Sequence, residues 1–360
     1  MAHLDIVRQR LHNQHISQQQ FEKPEDIVRW LGAIQAQDYA AAKWAVGLRL
    51  QHATDNAIEQ AAADGAILRT HVMRTTWQFV SPDDIRWFLA LFAPRIHAAN
   101  AFAYRRLELD DTIFLRCNDA LIQALQGGKQ LTRLELVAVL QRAGIAVGDG
   151  QRYGTIIIHA ELDGIICSGA KRGKQQTYAL LDERVPPTRA LDQDEALAEF
   201  ARRYFTSHGP ATLRDFVWWS GLKVADARAA LAMVSSQLIH EVIDGQTYWC
   251  TETSLPAKDS SPTAYLLPNF DEYTVGYTDR SAIFDALHTN KLDPRGGLLT
   301  NTMVLDGQVV GTWKRVLKKN AVVIEANPFT ALSNTETRAF AASANLFGAF
   351  LHLPVDSPWQ

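Results

Sequence analysis

One order of elements, helix, helix, then hairpin, recurs along this chain and limits its possible folds more than any other feature. The run Thr132-Arg133-Leu134-Glu135-Leu136-Val137-Ala138-Val139-Leu140 sets Thr132 and Glu135 at capping-box spacing, carries apolar residues at helical period, and is ended by Gly144. A second periodic segment covers 153–166, and 168–178 then reads as a hairpin with the basic tip Lys171-Arg172-Gly173-Lys174. From Glu195 the order returns: a helix over 195–205, a break at His208-Gly209-Pro210, a short helix opening at Thr212, and a helix over 224–238. Strands over 239–243 and 248–251 close it, turned by Asp244-Gly245, a dipeptide suited to the positive φ values of a tight hairpin. This is the order of a winged helix, a helix-turn-helix unit finished by a β-hairpin.

The first 130 or so residues follow the same order more loosely, with helices expected over 4–11, 24–34 and 55–64 and a strand-like stretch over 67–80. Beyond the prolines Pro256 and Pro262 the character changes to short β-rich runs, among them 302–306 and 309–314 about Asp306-Gly307, and a last helix is expected over 336–351. The fold class read from this is α+β. Three tandem winged-helix units are expected over 1–128, 129–190 and 191–255, followed by a C-terminal domain over 256–360 with a small β-barrel or sheet and a terminal helix.

Composition excludes several alternatives. A chain of 360 residues with 47% hydrophobic and 21% charged residues matches an ordinary globular enzyme rather than a fibrous or disordered protein. No apolar run is long enough to cross a bilayer, and Met1 to Asp5 are polar and charged rather than signal-like, so a cytoplasmic, nucleoid-associated, bacterial-type protein with no membrane partner is expected. Cys117, Cys167 and Cys250 follow no metal-ligand spacing, and His12, His15 and His159 have no partner spacing suggesting a metal; neither metal nor cofactor is expected, and the chain reads as a monomer. The net charge of −3 requires any nucleic-acid surface to be local.

Polarity interrupts an apolar run at Trp30-Leu31-Gly32-Ala33-Ile34-Gln35-Ala36-Gln37-Asp38-Tyr39. Residues two apart share a face on an extended backbone but not on a helix, so Gln35 and Gln37 can act together only if the helix stops first. Gly32 allows that, with Asp38 capping a following helix over 39–48. On spacing alone, two readings stand: the glutamines hydrogen-bond a helix end or a loop, or they form a site.

Four segments stand out beside one another: Gln35-Ala36-Gln37-Asp38-Tyr39 with Ala42-Lys43-Trp44-Ala45, and Arg69-Thr70-His71-Val72-Met73-Arg74-Thr75-Thr76-Trp77. The others are Leu266-Leu267-Pro268-Asn269-Phe270-Asp271-Glu272-Tyr273 with Gly276-Tyr277 and Asp279-Arg280, and Val310-Gly311-Thr312-Trp313-Lys314-Arg315. Together they resemble one known family, the winged-helix DNA glycosylases of the YcaQ and AlkZ type, which repair alkylated and crosslinked bases. The family's catalytic signature is a glutamine, an apolar residue, then glutamine or aspartate. Gln35-Ala36-Gln37 is similar to the glutamine version of the AlkZ branch, and the resemblance implies that Gln35 and Gln37 are catalytic.

A glutamine amide neither takes nor gives a proton at useful pH, which removes general-base catalysis by Gln37. Glycosidic bonds are normally broken with a carboxylic acid protonating the leaving group and a carboxylate assisting on the other side. A purine alkylated on a ring nitrogen already leaves as a cation, so the acid is dispensable, and two amide oxygens can orient water and stabilise positive charge on the sugar. The implied activity is that of a monofunctional DNA glycosylase acting on cationic N-alkylpurines in duplex DNA, with bulky adducts and interstrand crosslinks as further candidates. The rival reading is a winged-helix transcription regulator without chemistry; another is a family member that binds damage without catalysis.

Supporting residues follow with their alternatives. Asp38 assists or only caps a helix. Arg69, His71, Arg74 and Trp77 line the cleft or belong to a half-buried strand with solvated tips. Asp271 and Tyr273 join the cleft by resemblance. Arg152, Tyr153, Lys171, Arg172 and Lys174 contact phosphates where a winged helix presents its recognition helix and wing, or sit on a solvated tip. Lys43, Arg280, Lys314 and Arg315 complete the expected DNA contacts. Trp218 and Trp219 are expected in the third unit's core.

Overall fold

The structure is a computed structural model that describes residues 5–148, 150–253, 255, 261–292 and 297–359. It is mixed α+β and divides into two compact units, one of Met1–Glu59 with Leu197–Gln360 and one of Gln60–Ala196. Leu4, at the expected start of the first helix, and Pro256, at the expected last boundary, lie outside the described residues. Among the described residues, no helix is long and apolar enough to cross a membrane.

The first unit holds an open five-stranded sheet. Its order is Val355–Asp356, Val322–Pro328, Gln308–Leu317, Thr302–Leu305, Ala264–Leu267, antiparallel except for the parallel outermost pair Val322–Pro328 with Val355–Asp356. The expected turn sits between Thr302–Leu305 and Gln308–Leu317, where Asp306 and Gly307 take φ values of 48° and 84°. Helix Asn334–Leu351, opened by a full Ser333/Glu336 capping box, packs Phe347 and Phe350 against Trp44 and Phe347 also against Trp313, with ring centroids 5.0–5.3 Å apart. The two indole N–H groups donate to the carbonyls of Leu266 and Leu267, so bulk is buried without orphaned polar groups. A second cluster is aromatic: Phe200, Tyr204 and Phe205 of helix Gln193–Ser207 pack on Phe216 and Trp219 of helix Leu213–Ser220. Hairpin Ile239–Ile243/Gln246–Cys250 turns at Asp244-Gly245, with both φ values positive, as the dipeptide required. Of the two tryptophans expected in this core, Trp219 is buried, whereas Trp218 is 43% exposed. The reason is helical geometry: adjacent residues cannot share one apolar stripe.

The second unit is built on helices Ile85–Arg106, Asp111–Leu125, Arg133–Arg142 and Gly150–Leu162 and a three-stranded sheet ordered Leu131–Thr132, Thr177–Leu180, Ile166–Ser168. Thr132 and Glu135 form the capping box read from the sequence. The core gathers Phe114, Leu121, Leu136, Leu140, Ile156 and Ile166, among others. The strand-like stretch is a hairpin, Leu68–Val72 with Thr76–Val80, reversed through Met73 and Thr75 at positive φ.

Candidate active site

Helix Pro24–Leu31 stops at Gly32, whose φ of 80° a side chain would resist, and the chain runs on as the extended pair Ile34–Gln35. Asp38 then caps helix Tyr39–Gly47, accepting from the Ala41 N–H at 3.0 Å. The corner between the two helices carries Gln35 half-buried and Gln37 exposed.

What fixes the corner is Glu272, a residue to which the sequence pattern assigns no role. Its carboxylate is buried and accepts from the Gln35 N–H at 2.9 Å, from Trp219 Nε1 at 2.8 Å and, more loosely, from His208 Nε2 at 3.4 Å. Burial pushes the carboxyl up, but the hydrogen bond from His208 and the N–H groups of Gln35 and Trp219 outweigh it and hold Glu272 below its ordinary range. His208 moves downward because burial disfavours its cation. We take Glu272 as ionised and His208 as neutral, since three N–H donors suffice to hold the anion without a second charge. The Gln35 side-chain oxygen is itself buried and has no hydrogen-bond partner among the described residues.

Beneath Glu272 lies a fully buried ion pair. Arg49 Nη1 and Nη2 each donate to Asp271 at 2.8 Å, and the guanidinium also donates to the Ala45 and Gln14 carbonyls and to Gln14 Oε1. Asp271 in turn caps the short helix Glu272–Val275 through the Tyr273 N–H. Asp271 therefore supports the corner from inside, not as a cleft wall. Tyr273 is likewise buried and donates its hydroxyl to the Gly307 carbonyl at 2.8 Å, which corrects its expected cleft position.

Glu272→Gln keeps size and loses charge. Its amide N–H₂ would also face a donor, so the variant is expected to be about 2 kcal/mol or more less stable near neutrality. The sign follows from the depressed carboxyl: the wild-type advantage is present above the ordinary value of 4.5 and is lost as pH falls through the lower folded value. Melting curves of both proteins from pH 7 to 3 should converge in acid; a gap constant across that range would contradict the assignment.

The second unit carries its own polar hairpin. His71 and Trp77 face each other across it, their rings 3.8 Å apart, and the Arg69 guanidinium lies 4.1 Å above the Trp77 ring. His71 Nδ1 meets the buried Glu161 at 2.5 Å, and Arg74 stands in the turn. Burial raises the Glu161 carboxyl, against the pull of His71 and Arg69. The expected grouping of Arg69, His71 and Trp77 is present, through cross-strand pairing rather than along one strand.

The expected DNA contacts divide. Lys43 is buried and held by Asp55 at 2.7 Å and Glu59 at 2.9 Å, so its ammonium is committed inside its unit. Tyr153 is buried in the second unit's core because it lies on the apolar face of helix Gly150–Leu162. Both depart from the expected surface position. Half-buried Arg152 donates to the Ala146 and Glu108 carbonyls, and half-buried Arg280 donates to the Thr274 carbonyl. The hairpin tip keeps Arg172 and Lys174 exposed and Lys171 partly so, with Arg172 braced by Glu135 at 2.7 Å. In the first unit Lys314 is exposed, and Arg315 lies 3.9 Å from Asp38, beside the glutamine corner.

Residues 28–350 match the model of a family described as DNA glycosylase AlkZ-like. The chain is similar to an interstrand DNA cross-link repair glycosylase of Streptomyces sahachiroi, 25% identical over 328 residues that span 83% of this chain and 85% of the relative. In fold it is similar to the solved structure of the Streptomyces sahachiroi DNA glycosylase AlkZ, with a TM-score of 0.77 at 22% identity over 98% of each chain.

Proposed function

The chain belongs to the AlkZ-like DNA glycosylases, and from that membership we propose that it hydrolyses the N-glycosidic bond of cationic N-alkylated purines in duplex DNA, with Gln35 and Gln37 as its catalytic residues. Interstrand cross-link repair, which the relative's name gives, would fall within the same chemistry here when the linked base is an alkylated purine. Family membership weighs against the regulator reading.

The observation that carries the proposal is the makeup of the glutamine corner. Its amides hold no transferable proton, Asp38 is engaged as a helix cap, and Glu272 is held ionised. Neither amide of the pair can protonate a neutral leaving base. A base that leaves already charged needs only a stabilised sugar cation and an oriented water. The buried Gln35 oxygen has no partner among the described residues, and Glu272 holds the backbone that carries it, which suits it to the preorganised dipole that this requires. Arg69, His71, Arg74 and Trp77 are assigned to the lining of the substrate cleft on the strength of the family resemblance.

Purified protein is expected to release 7-methylguanine from methylated duplex and to leave uracil and 8-oxoguanine in place. Uracil excision at a comparable rate by a contaminant-free preparation would sink the charge argument.

For DNA binding, the reading in winged-helix units supports two wings, one on the tip 171–174 and one on hairpin Ile239–Ile243/Gln246–Cys250, with Lys314 and Arg315 as phosphate contacts on the C-terminal sheet. Lys171→Ala with Arg172→Ala should weaken binding to damaged and undamaged duplex alike, since phosphate contacts carry no sequence information. Removing each cation that neutralises a phosphate should lower the log–log salt slope by about one unit. An unchanged slope would move the binding surface elsewhere.

A further inference from the structure

We propose that His97, His159 and Asp163 form a binding site for one divalent transition-metal ion of the zinc type, which pins helix Ile85–Arg106 to the end of helix Gly150–Leu162. One ligand atom from each residue lies within 4.8 Å of the other two. His97 Nε2 is 3.2 Å from Asp163 Oδ1, and His159 Nδ1 is 3.1 Å from Asp163 Oδ2. A tetrahedral ion about 2.0–2.1 Å from each donor keeps its donors roughly 3.3 Å apart, the separation that both Asp163 pairs already show. Two imidazoles and one carboxylate are a borderline donor set that suits zinc and its first-row neighbours over calcium or magnesium.

Four further observations favour an ion over a plain hydrogen-bonded triad. Although it is close to Asp163, the His159 Nδ1 is buried and lacks hydrogen-bond geometry to any partner among the described residues. The outer groups are in place. Asn118 Nδ2 donates to Asp163 Oδ2 at 3.0 Å, and the far nitrogen of His97 pairs with the Tyr104 hydroxyl at 3.0 Å. That hydroxyl both gives and accepts, so His97 can shift its proton to Nδ1, free Nε2 for the ion and keep the bond. The His159 ring is stacked on Phe114 at 3.5 Å, which fixes its plane. A groove of about 530 Å³ lined by His97 and Asp163 leaves room for solvent to complete the coordination. The sequence hides this set, because His97 is far from the His159–Asp163 pair and only the fold joins them.

The test is calorimetric titration of tag-free, chelator-stripped full-length protein with Zn²⁺. One equivalent should bind, with micromolar or tighter affinity; His97→Gln and His159→Gln should each weaken it at least tenfold, and His240→Gln should leave it unchanged. Imidazole nitrogen NMR on the wild-type protein avoids dependence on variant folding: Zn²⁺ should shift Nε2 of His97 and Nδ1 of His159. No stoichiometric binding, binding retained in the double variant, or shifts confined to other histidines would overturn the site.

Discussion

Arg49→Ala should destabilise the first unit by about 3–5 kcal/mol, the range for leaving one member of a buried ion pair without its partner. In a unit of this size that corresponds to a melting temperature roughly 6–20 °C lower. The size follows from the surroundings: both side chains are wholly buried, and the guanidinium donates to three carbonyl or carboxylate groups besides the Gln14 amide oxygen. With Arg49 gone, the fully buried Asp271 carboxylate keeps only the Tyr273 N–H as a donor among the described residues. Because Asp271 caps the helix that begins at Glu272, the change should also loosen the anchor on the Gln35 backbone. The paired change Arg49→Met with Asp271→Leu should recover much of the stability, since no charge is then stranded. A single alanine variant melting within a degree or two of wild type would show that the pair does not hold this region.

Much of the local structure is legible because it rests on rules confined to a few residues. The capping box at Thr132, the positive-φ turns at Asp244-Gly245 and Asp306-Gly307, and the helix break at Gly32 followed by the Asp38 cap need only near neighbours. The long helix Ile85–Arg106 lies outside the expected elements. Pro94 interrupts it, and its buried residues concentrate in the first half, so no clean stripe runs its length. Helix Asp111–Leu125 is a further addition to the expected order, although Asp110 caps it and Phe114, Cys117, Leu121 and Leu125 follow at helical spacing. At the site, the glutamines stand out in the sequence but their anchor does not, because Glu272 meets Gln35 across more than two hundred residues. A signal does exist: Arg49 sits between two leucines, and Asp271-Glu272 between two aromatic residues, so charges of opposite sign stand in segments that must be buried. Lys43 and Tyr153 depart from expectation for the converse reason, since residue type suggests phosphate contact where tertiary packing buries the side chain.

The glutamine pair carries the central claim, and the structural and catalytic readings give opposite results for it. If the side chains only bridged loops, alanine would lower stability by around 1 kcal/mol and leave excision per folded molecule intact. The geometry points the other way. Alanine at position 35 keeps the backbone bond to Glu272, the buried Gln35 oxygen has no partner among the described residues, and Gln37 is exposed. Gln35→Ala and Gln37→Ala should therefore melt close to wild type and bind DNA normally, yet release base roughly ten- to a thousandfold more slowly, the range for losing an oriented electrostatic partner. Gln37→Asp should keep part of the rate, since an anion also stabilises a cationic sugar. The deciding measurement is single-turnover release of 7-methylguanine by each alanine variant, with a melting curve beside it. The account expects slow release from a fully folded protein; wild-type rates in both variants would remove Gln35 and Gln37 from the mechanism.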